Sequence, residues 1–288
     1  MLGIFSTVEL LQLALVSRRF HSLVSRLLHR RLLDVASLPA NDLILECYHP
    51  SAKISTPYLS CRHIGTKMKS CDDSGVKLEE LEVEPKLESL SRMYSTFRPV
   101  VAEENRRRRL RIAESSQRND DDDVATELVH LDDGELFVQL CAVTNVVKSG
   151  PKPGLFLSHV NISDGVIRVW RDWLAEMAQT QGELAKPTDG KRILWVNAGQ
   201  TIGLRFKVSP GPIDRMPVIS GPEDHPPVSY HLQYEGLSTF LEETLKGICT
   251  NHFLEELFVR TASLLLAAEK SAIQEVSHSG KAIVIASM

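Results

Sequence analysis

The sequence predicts an α+β protein in which a small N-terminal helical module precedes a mainly antiparallel, sandwich-like β domain. Residues 1–38 repeat apolar positions at steps of three and four, which is the period of an α-helix. Residues 128–288 consist mostly of short β-branched and aromatic runs separated by turns that contain Gly and Pro. Helical patterns do not alternate with those runs, so a parallel sheet built from βαβ units is not indicated.

The helical module covers residues 1–38 and has recognisable start signals. Ser6 and Glu9 have the spacing of a capping box, in which each side chain accepts a hydrogen bond from the other residue's backbone N–H. Ser17 is a second candidate N-cap, so the pattern fits either one rod or a pair of helices. The apolar face predicted over 7–33 consists of Leu13, Val16, Phe20, Val24 and Leu27.

Residues 39–127 form a mixed region. The runs "DLILECYH" (42–49) and "YLSCRHI" (58–64) predict strands, because both are rich in β-forming residues and lie beside prolines. Residues 87–114 contain few helix breakers and predict a helix. The basic run 106–111 and the acidic run 120–123 predict a flexible, solvated loop.

Residues 128–288 are expected to form the β-rich domain that binds a target. Strands are predicted at 135–147, 155–162 and 228–235, with a turn at "SDG" (163–165). The segment 192–208 predicts a hairpin that turns near 197–200. Residues 237–270 are helical by propensity, yet joining Glu235 to Glu256 gives a smoother β pattern. We therefore consider 236–255 a candidate insertion, either genuine or an artefact of the gene model.

Composition limits the class of protein. With 288 residues, 43 % of them hydrophobic, the chain is long enough for a sizeable core. The formal net charge of −4 indicates neither a nucleic-acid partner nor an anionic membrane. The five cysteines are scattered and form no C-x-x-C pair, which argues against a disulfide framework and a thiolate zinc site. A reducing compartment, the cytoplasm or the nucleus, is the expected location.

No catalytic motif is present. The sequence lacks G-x-S-x-G, a P-loop, H-E-x-x-H and G-x-G-x-x-G, so we expect no enzymatic activity, no cofactor and no metal. The acidic run 120–123 and the set His49, Cys61 and His63 are candidate cation sites, but consecutive carboxylates in a loop rarely converge on one ion. The basic run 106–111 fits a nuclear localisation signal or a phosphate patch, and equally a helix face that pairs with the acidic run.

Aromatic residues are the weak candidates for target binding. Trp170 and Trp173 lie in "VIRVWRDWLAEM" and could line a groove for a target. Trp195, in "RILWVNAG", is expected to pack inside the sandwich.

Residues 9–20, "ELLQLALVSRRF", resemble the second half of an F-box. That pattern has an acidic residue, Leu-Leu, x, Leu, x, Leu-Val, Cys or Ser, Arg-Arg and then Trp or Phe. The layout, with a short N-terminal F-box, a long middle and a β-rich C-terminal half, is similar to that of fungal F-box proteins with an unassigned target. The Leu-Pro-x-Glu helix that opens an F-box is not found ahead of Ser6.

The resemblance implies a function. The chain would be the substrate-receptor subunit of an SCF-type ubiquitin ligase, with its helices on the Skp adaptor and its β-rich domain on an unknown protein target. Adaptor binding is expected to be weakened or lost without the opening helix. The alternative is a stand-alone protein- or carbohydrate-binding module with a degenerate F-box and no link to a ligase. The implied adaptor-binding residues are Leu10, Leu11, Leu13, Leu15, Val16 and Phe20.

Overall fold

The computed structural model describes residues 2–53, 56–68, 86–101, 126–151, 155–179, 193–212, 226–233, 257–278 and 283–284. The described helices are α1 (Thr7–Ala14), α2 (Arg18–Val35), the single turn α3 (Leu87–Leu90), α4 (Arg171–Gln179) and α5 (Thr261–His278), with short 3₁₀ turns at Leu2–Ile4 and Pro50–Ala52. The described strands are β1 (Asp42–Tyr48), β2 (Leu59–Met68), β3 (Met93–Val101), β4 (Thr126–Leu131), β5 (Phe137–Ser149), β6 (Leu155–Trp170), β7 (Leu194–Trp195), β8 (Ile202–Leu204), β9 (Lys207–Pro210), β10 (Val228–Gln233), β11 (Leu257–Arg260) and β12 (Ile283–Val284). Helices therefore precede a mainly antiparallel β structure, and the predicted α+β class is confirmed.

The described strands form two sheets. The larger has nine strands in the order β12-β6-β5-β1-β2-β3-β11-β8-β7, and the smaller has the order β4-β10-β9. Every neighbouring pair is antiparallel. None of the helices in the described part of the chain combines the length and apolar character needed to cross a membrane.

The larger sheet curls until β7 approaches the middle of β6. Asn197 Nδ2, just after β7, donates to Ser163 Oγ of β6 at 3.1 Å. A Cβ added to Gly165 would lie 2.8 Å from Val196 Cγ1 and 2.9 Å from the Val196 carbonyl oxygen. Glycine is therefore required at position 165, where two distant strands meet.

The predicted turn at 163–165 is wrong. Strand β6 continues through it, and Asp164 and Gly165 pair with Val143 and Ala142 of β5. The pairing of β5 with β6 continues on both sides of a register shift between Thr144 and Asn145. The long partner strand β5 thus outweighs the local turn preference of Ser-Asp-Gly, because each paired residue gains ladder hydrogen bonds.

Both sheets contribute to one core. Leu45, Leu140 and Leu204 of the larger sheet pack in the same cluster as Leu131 and Leu232 of the smaller sheet. Strands from segments 39–127 and 128–288 thus share this core. The predicted strands at 42–49, 58–64 and 135–147 are confirmed as β1, β2 and β5, and the described part of the strand predicted at 228–235 is β10.

The helix predicted over 87–114 is wrong in the part that the structure describes. Only Leu87–Leu90 is helical, and the chain then enters β3, which pairs with β2 on one side and β11 on the other. Burial of the Met93 and Phe97 side chains stabilises this strand pairing. Local helix propensity does not include that contribution. Similarly, β11 interrupts the helix predicted over 237–270 before α5 begins.

The hairpin predicted within 192–208 is confirmed. Leu194 pairs with Leu204 and Trp195 with Gly203, and the turn between them has Gln200 in the left-handed region, with φ 51°. After Leu204 the chain crosses into β9 of the other sheet, so the second arm is shared between both sheets. The basic run 106–111, the acidic run 120–123 and the candidate insertion 236–255 lie outside the described residues.

Candidate adaptor-binding surface

Two side-chain caps define the N-terminal helices. Ser6 N donates to Glu9 Oε2 at 2.7 Å and Glu9 N donates to Ser6 Oγ at 3.4 Å, so the predicted capping box forms. The hydrogen bond from the Ser6 backbone lowers the pKa of the Glu9 carboxyl, which favours the carboxylate at the positive end of the helix. Ser17 Oγ accepts from Phe20 N at 3.3 Å and starts α2. The segment is therefore a helix pair.

Helix α1 is apolar on two sides, and its inner side belongs to the protein's own core. Leu10 is 0 % exposed and Ala14 is buried. They are separated by four residues, and both face α2 and α5. This helical cluster consists of Leu10, Ala14, Val24, Leu28, Leu32, Leu90, Met93 and Leu265.

The outer side of the same helices is uncovered. Leu11 is 44 % exposed, and Leu15 and Val16, in the turn between the helices, are 88 % and 68 % exposed. Phe20, in the first turn of α2, is also exposed. We call Leu11, Leu15, Val16 and Phe20 the outer patch. Arg18 and Arg19 are exposed beside it and add positive charge.

A carboxylate on α5 joins the helix pair to the β structure. Glu269 Oε1 accepts from Thr7 Oγ1 at 2.6 Å, and both carboxylate oxygens lie 3.2 Å from Thr7 N. Arg31 Nη1 of α2 lies 3.3 Å from Glu269 Oε1. Arg31 Nη2 donates to the carbonyls of Gly3 and Phe5, at 2.8 and 2.6 Å. The outer patch is thus held in a defined place relative to the sheets.

The structure separates the six residues that the resemblance implies for adaptor binding. Leu11, Leu15, Val16 and Phe20 are exposed, Leu13 is half-buried, and Leu10 is a core residue. The residues of the apolar face predicted over 7–33 differ in burial, because Val24 is buried on α2 whereas Val16 lies between the helices and is exposed. Sequence reasoning missed Val8, which is exposed and lies three residues before Leu11 on the same helix. That spacing was the available signal.

The two candidate target-binding tryptophans occupy different environments. Trp170, at the end of β6, is exposed and lies 5.2 Å from Phe137, measured between ring centres. Trp173, on α4, packs against the main core. Trp195 of β7 is half-buried and lies 5.7 Å from the ring of Tyr94. Of the two candidates, Trp170 is the more exposed.

The chain matches no family model, no curated protein and no solved structure. Any function assigned to it must therefore rest on its own residues and geometry.

The candidate metal-binding side chains of His49, Cys61 and His63 do not form a metal site. His49 Nδ1 lies 2.7 Å from Ser51 Oγ, and His63 Nε2 lies 3.2 Å from Thr66 Oγ1. Within the described ranges, no group of three or more His, Cys, Asp or Glu side chains is arranged to hold a metal ion. Burial raises the pKa of the Cys61 thiol, which keeps it protonated at neutral pH.

Two half-buried histidines predict that stability depends on pH. Burial lowers the pKa of His63 and of His159 from the ordinary value of 6.5. Below that value the unfolded chain binds protons that the folded chain does not, so the free energy of unfolding should fall as pH falls from about 7.5 to about 5.5. We expect urea unfolding at these pH values to show the loss.

A His63→Gln/His159→Gln variant provides the comparison. Burial raises the pKa of Glu127, which acts in the opposite sense, because its stabilising contribution is lost as pH rises through the raised folded value. Glu127 is present in both proteins and its contribution cancels. The variant should therefore lose less stability on acidification, and an unchanged pH dependence would contradict the assignment.

Proposed function

We propose that this chain is a substrate-receptor subunit of an SCF-type ubiquitin ligase. Its α1–α2 pair docks on a Skp-type adaptor, and its β-rich part binds a protein target of unknown identity. The chain performs no chemistry in this scheme, and its effect is to raise the local concentration of the target near the ligase. Cytoplasmic or nuclear location is part of the proposal.

The outer patch is the observation that carries the proposal. Four of the six residues implied for adaptor binding are exposed, and they lie in or beside the turn between α1 and α2. Fully burying a Leu, Val or Phe side chain contributes about 1.5–3 kcal/mol before ordering costs. A helical partner with an apolar groove could therefore gain several kcal/mol from this corner.

The link through Glu269 supports a receptor role. Because Glu269 caps α1 and lies against Arg31 of α2, the adaptor-facing corner and the sheets would move together. A substrate receptor requires such a fixed relation, since the ligase acts only on a target held within reach. This connection favours a receptor over a helix pair tethered by a flexible linker.

A second candidate function is a stand-alone protein- or carbohydrate-binding module. Leu10, part of the F-box-like pattern, is buried in the chain's own helical cluster. A helix pair that simply covers the end of the β structure would show the same burial. The exposure of Trp170 fits either function, because both need a binding surface on the β side.

Binding to purified Skp adaptor tests the proposal. We expect a Leu15→Gln/Val16→Gln variant to bind at least tenfold more weakly than the unaltered chain in biolayer interferometry, because it removes two apolar anchors without changing charge. Ile273→Gln on α5 is the matched control, since Ile273 is 66 % exposed on another helix. It should bind like the unaltered chain.

A chain carrying a Leu-Pro-x-Glu helix ahead of Ser6 is measured beside these proteins. We expect it to bind the adaptor more tightly than the unaltered chain, because that helix adds contact area. If neither protein binds, the ligase proposal fails and the stand-alone module is favoured. Equal binding by the unaltered chain and the Leu15→Gln/Val16→Gln variant would exclude the outer patch as the docking surface.

A further inference from the structure

Cationic side chains gather on one face of β2, β3 and β11. Arg62 of β2 lies opposite Arg98 of β3, and Tyr94 of β3 lies opposite both Lys67 of β2 and Arg260 of β11. Directly opposed residues share a face of a sheet, and Arg98 and Tyr94 are an even number of residues apart. We call Arg62, Lys67, Arg98 and Arg260 the basic face. It is turned away from the core, which Phe97 enters from the other side of β3.

The basic face has no carboxylate partner among the described residues. None of its four side chains takes part in an ion pair between described residues. Asp42, on the neighbouring strand β1, instead accepts from Ser149 Oγ at 2.5 Å. Opposed like charges such as Arg62 and Arg98 destabilise a sheet. Among the described residues, no carboxylate compensates this repulsion.

Two guanidinium groups also hold donors without acceptors. The Nε atoms of Arg98 and Arg260 are buried and have no hydrogen-bond partner. The Nη2 atom of Arg260 donates to Gly199 O at 2.6 Å, and the guanidinium lies 5.8 Å from the centre of the Tyr94 ring. These contacts position the Arg260 side chain. Buried donors without acceptors are costly, so both guanidinium groups are incompletely satisfied by the described residues.

The spacing of the cations indicates the shape of the ligand. Arg98 and Tyr94 are four residues apart on β3, which corresponds to about 13 Å along an extended strand. Between the two cationic rows lie Thr96, which is buried, and Phe258, whose ring centre lies 5.1 Å from the Arg205 guanidinium. A peptide in extended conformation places side chains i and i+4 at the same separation as the two cationic rows.

We propose that the basic face binds an extended acidic peptide that carries carboxylates at positions i and i+4. One carboxylate is held by Arg62 and Arg98, and the other by Lys67 and Arg260. Guanidinium and carboxylate groups form charge-assisted, two-pronged hydrogen bonds. The inference is independent of adaptor binding.

A labelled peptide tests the inference. The probe is a fluorescein-labelled peptide containing Glu-Ser-Val-Ser-Glu, and its partner is a peptide in which Gln replaces both Glu. We expect the acidic peptide to bind in fluorescence anisotropy, and its affinity to fall at least tenfold with the Gln peptide and at high salt. Absence of binding by the acidic peptide would overturn the proposal.

Substitutions on the protein separate this face from general charge effects. Arg62→Gln/Arg98→Gln and Lys67→Gln should each weaken peptide binding at least fivefold, whereas Arg30→Gln, which removes an exposed charge from α2, should not. The Arg62→Gln/Arg98→Gln variant should be at least as stable as the unaltered chain to heat, because it relieves like-charge repulsion. Equal weakening by all variants, or tighter binding of a single-stranded 12-nucleotide DNA than of the peptide, would overturn the proposal.

Discussion

Replacing Leu10 with alanine should lower the free energy of unfolding by about 3 kcal/mol, whereas the same replacement at Leu11 should change it by less than about 1 kcal/mol. Both leucines lie on α1, and both match the F-box pattern. Leu10 is 0 % exposed and packs in the helical cluster, so its truncation leaves a cavity. Leu11 is 44 % exposed and leaves none. Urea unfolding followed by far-ultraviolet circular dichroism measures the difference.

Adaptor binding should show the reverse order. Leu11→Ala removes an exposed apolar contact and should weaken binding to the Skp adaptor severalfold, if the outer patch is the docking surface. Leu10→Ala should affect binding only through the folded fraction, and a measurement well below the unfolding transition removes that contribution. Equal destabilisation by Leu10→Ala and Leu11→Ala would contradict the two-sided description of α1.

Replacing Arg171 with methionine should lower the free energy of unfolding by about 3 kcal/mol. Arg171, at the start of α4, is 8 % exposed, and its guanidinium donates to three backbone carbonyls, those of Asp132, Glu135 and Pro226, at 2.8, 2.7 and 2.7 Å. The side chain thus joins the β4–β5 turn to the loop before β10. Methionine fills similar volume but leaves those carbonyls without the donor.

Two further variants calibrate the Arg171 result. Arg171→Lys should cause an intermediate loss in the free energy of unfolding, because one ammonium group cannot reach all three carbonyls that the planar guanidinium contacts. Arg168→Met is the matched control on β6, where the exposed guanidinium lies 5.3 Å from the centre of the Phe137 ring. It should cost less than about 1 kcal/mol. A loss for Arg171→Met no larger than that of Arg168→Met would contradict the role of the three carbonyls.

Local chemistry makes several elements predictable from the sequence. The capping box of Ser6 and Glu9 and the cap at Ser17 depend on contacts three residues apart, which the chain order itself brings together. Strands such as β1 and β5 are runs of β-forming residues with few breakers, so their existence follows from composition. The hairpin joining β7 and β8 also forms within a short stretch of chain.

The candidate site was predictable in part. The F-box-like pattern leads to α1 and the start of α2, but it treats Leu10 and Leu11 alike. The structure distinguishes them because α5, more than two hundred residues later in the chain, supplies Leu265 and Glu269 to the inner side of α1. Which side of a two-sided apolar helix is covered depends on that distant partner.

The start of a helix or strand can be read from the amino-acid order wherever contacts within a few residues fix it. Three features depend instead on distant strands: Met93–Val101 is a strand, β6 continues through Ser-Asp-Gly, and Arg62, Arg98 and Arg260 share a face. One cause explains all three. Ladder hydrogen bonds and burial against strands far away in the chain outweigh local preferences of a few tenths of a kcal/mol to about 1 kcal/mol per residue.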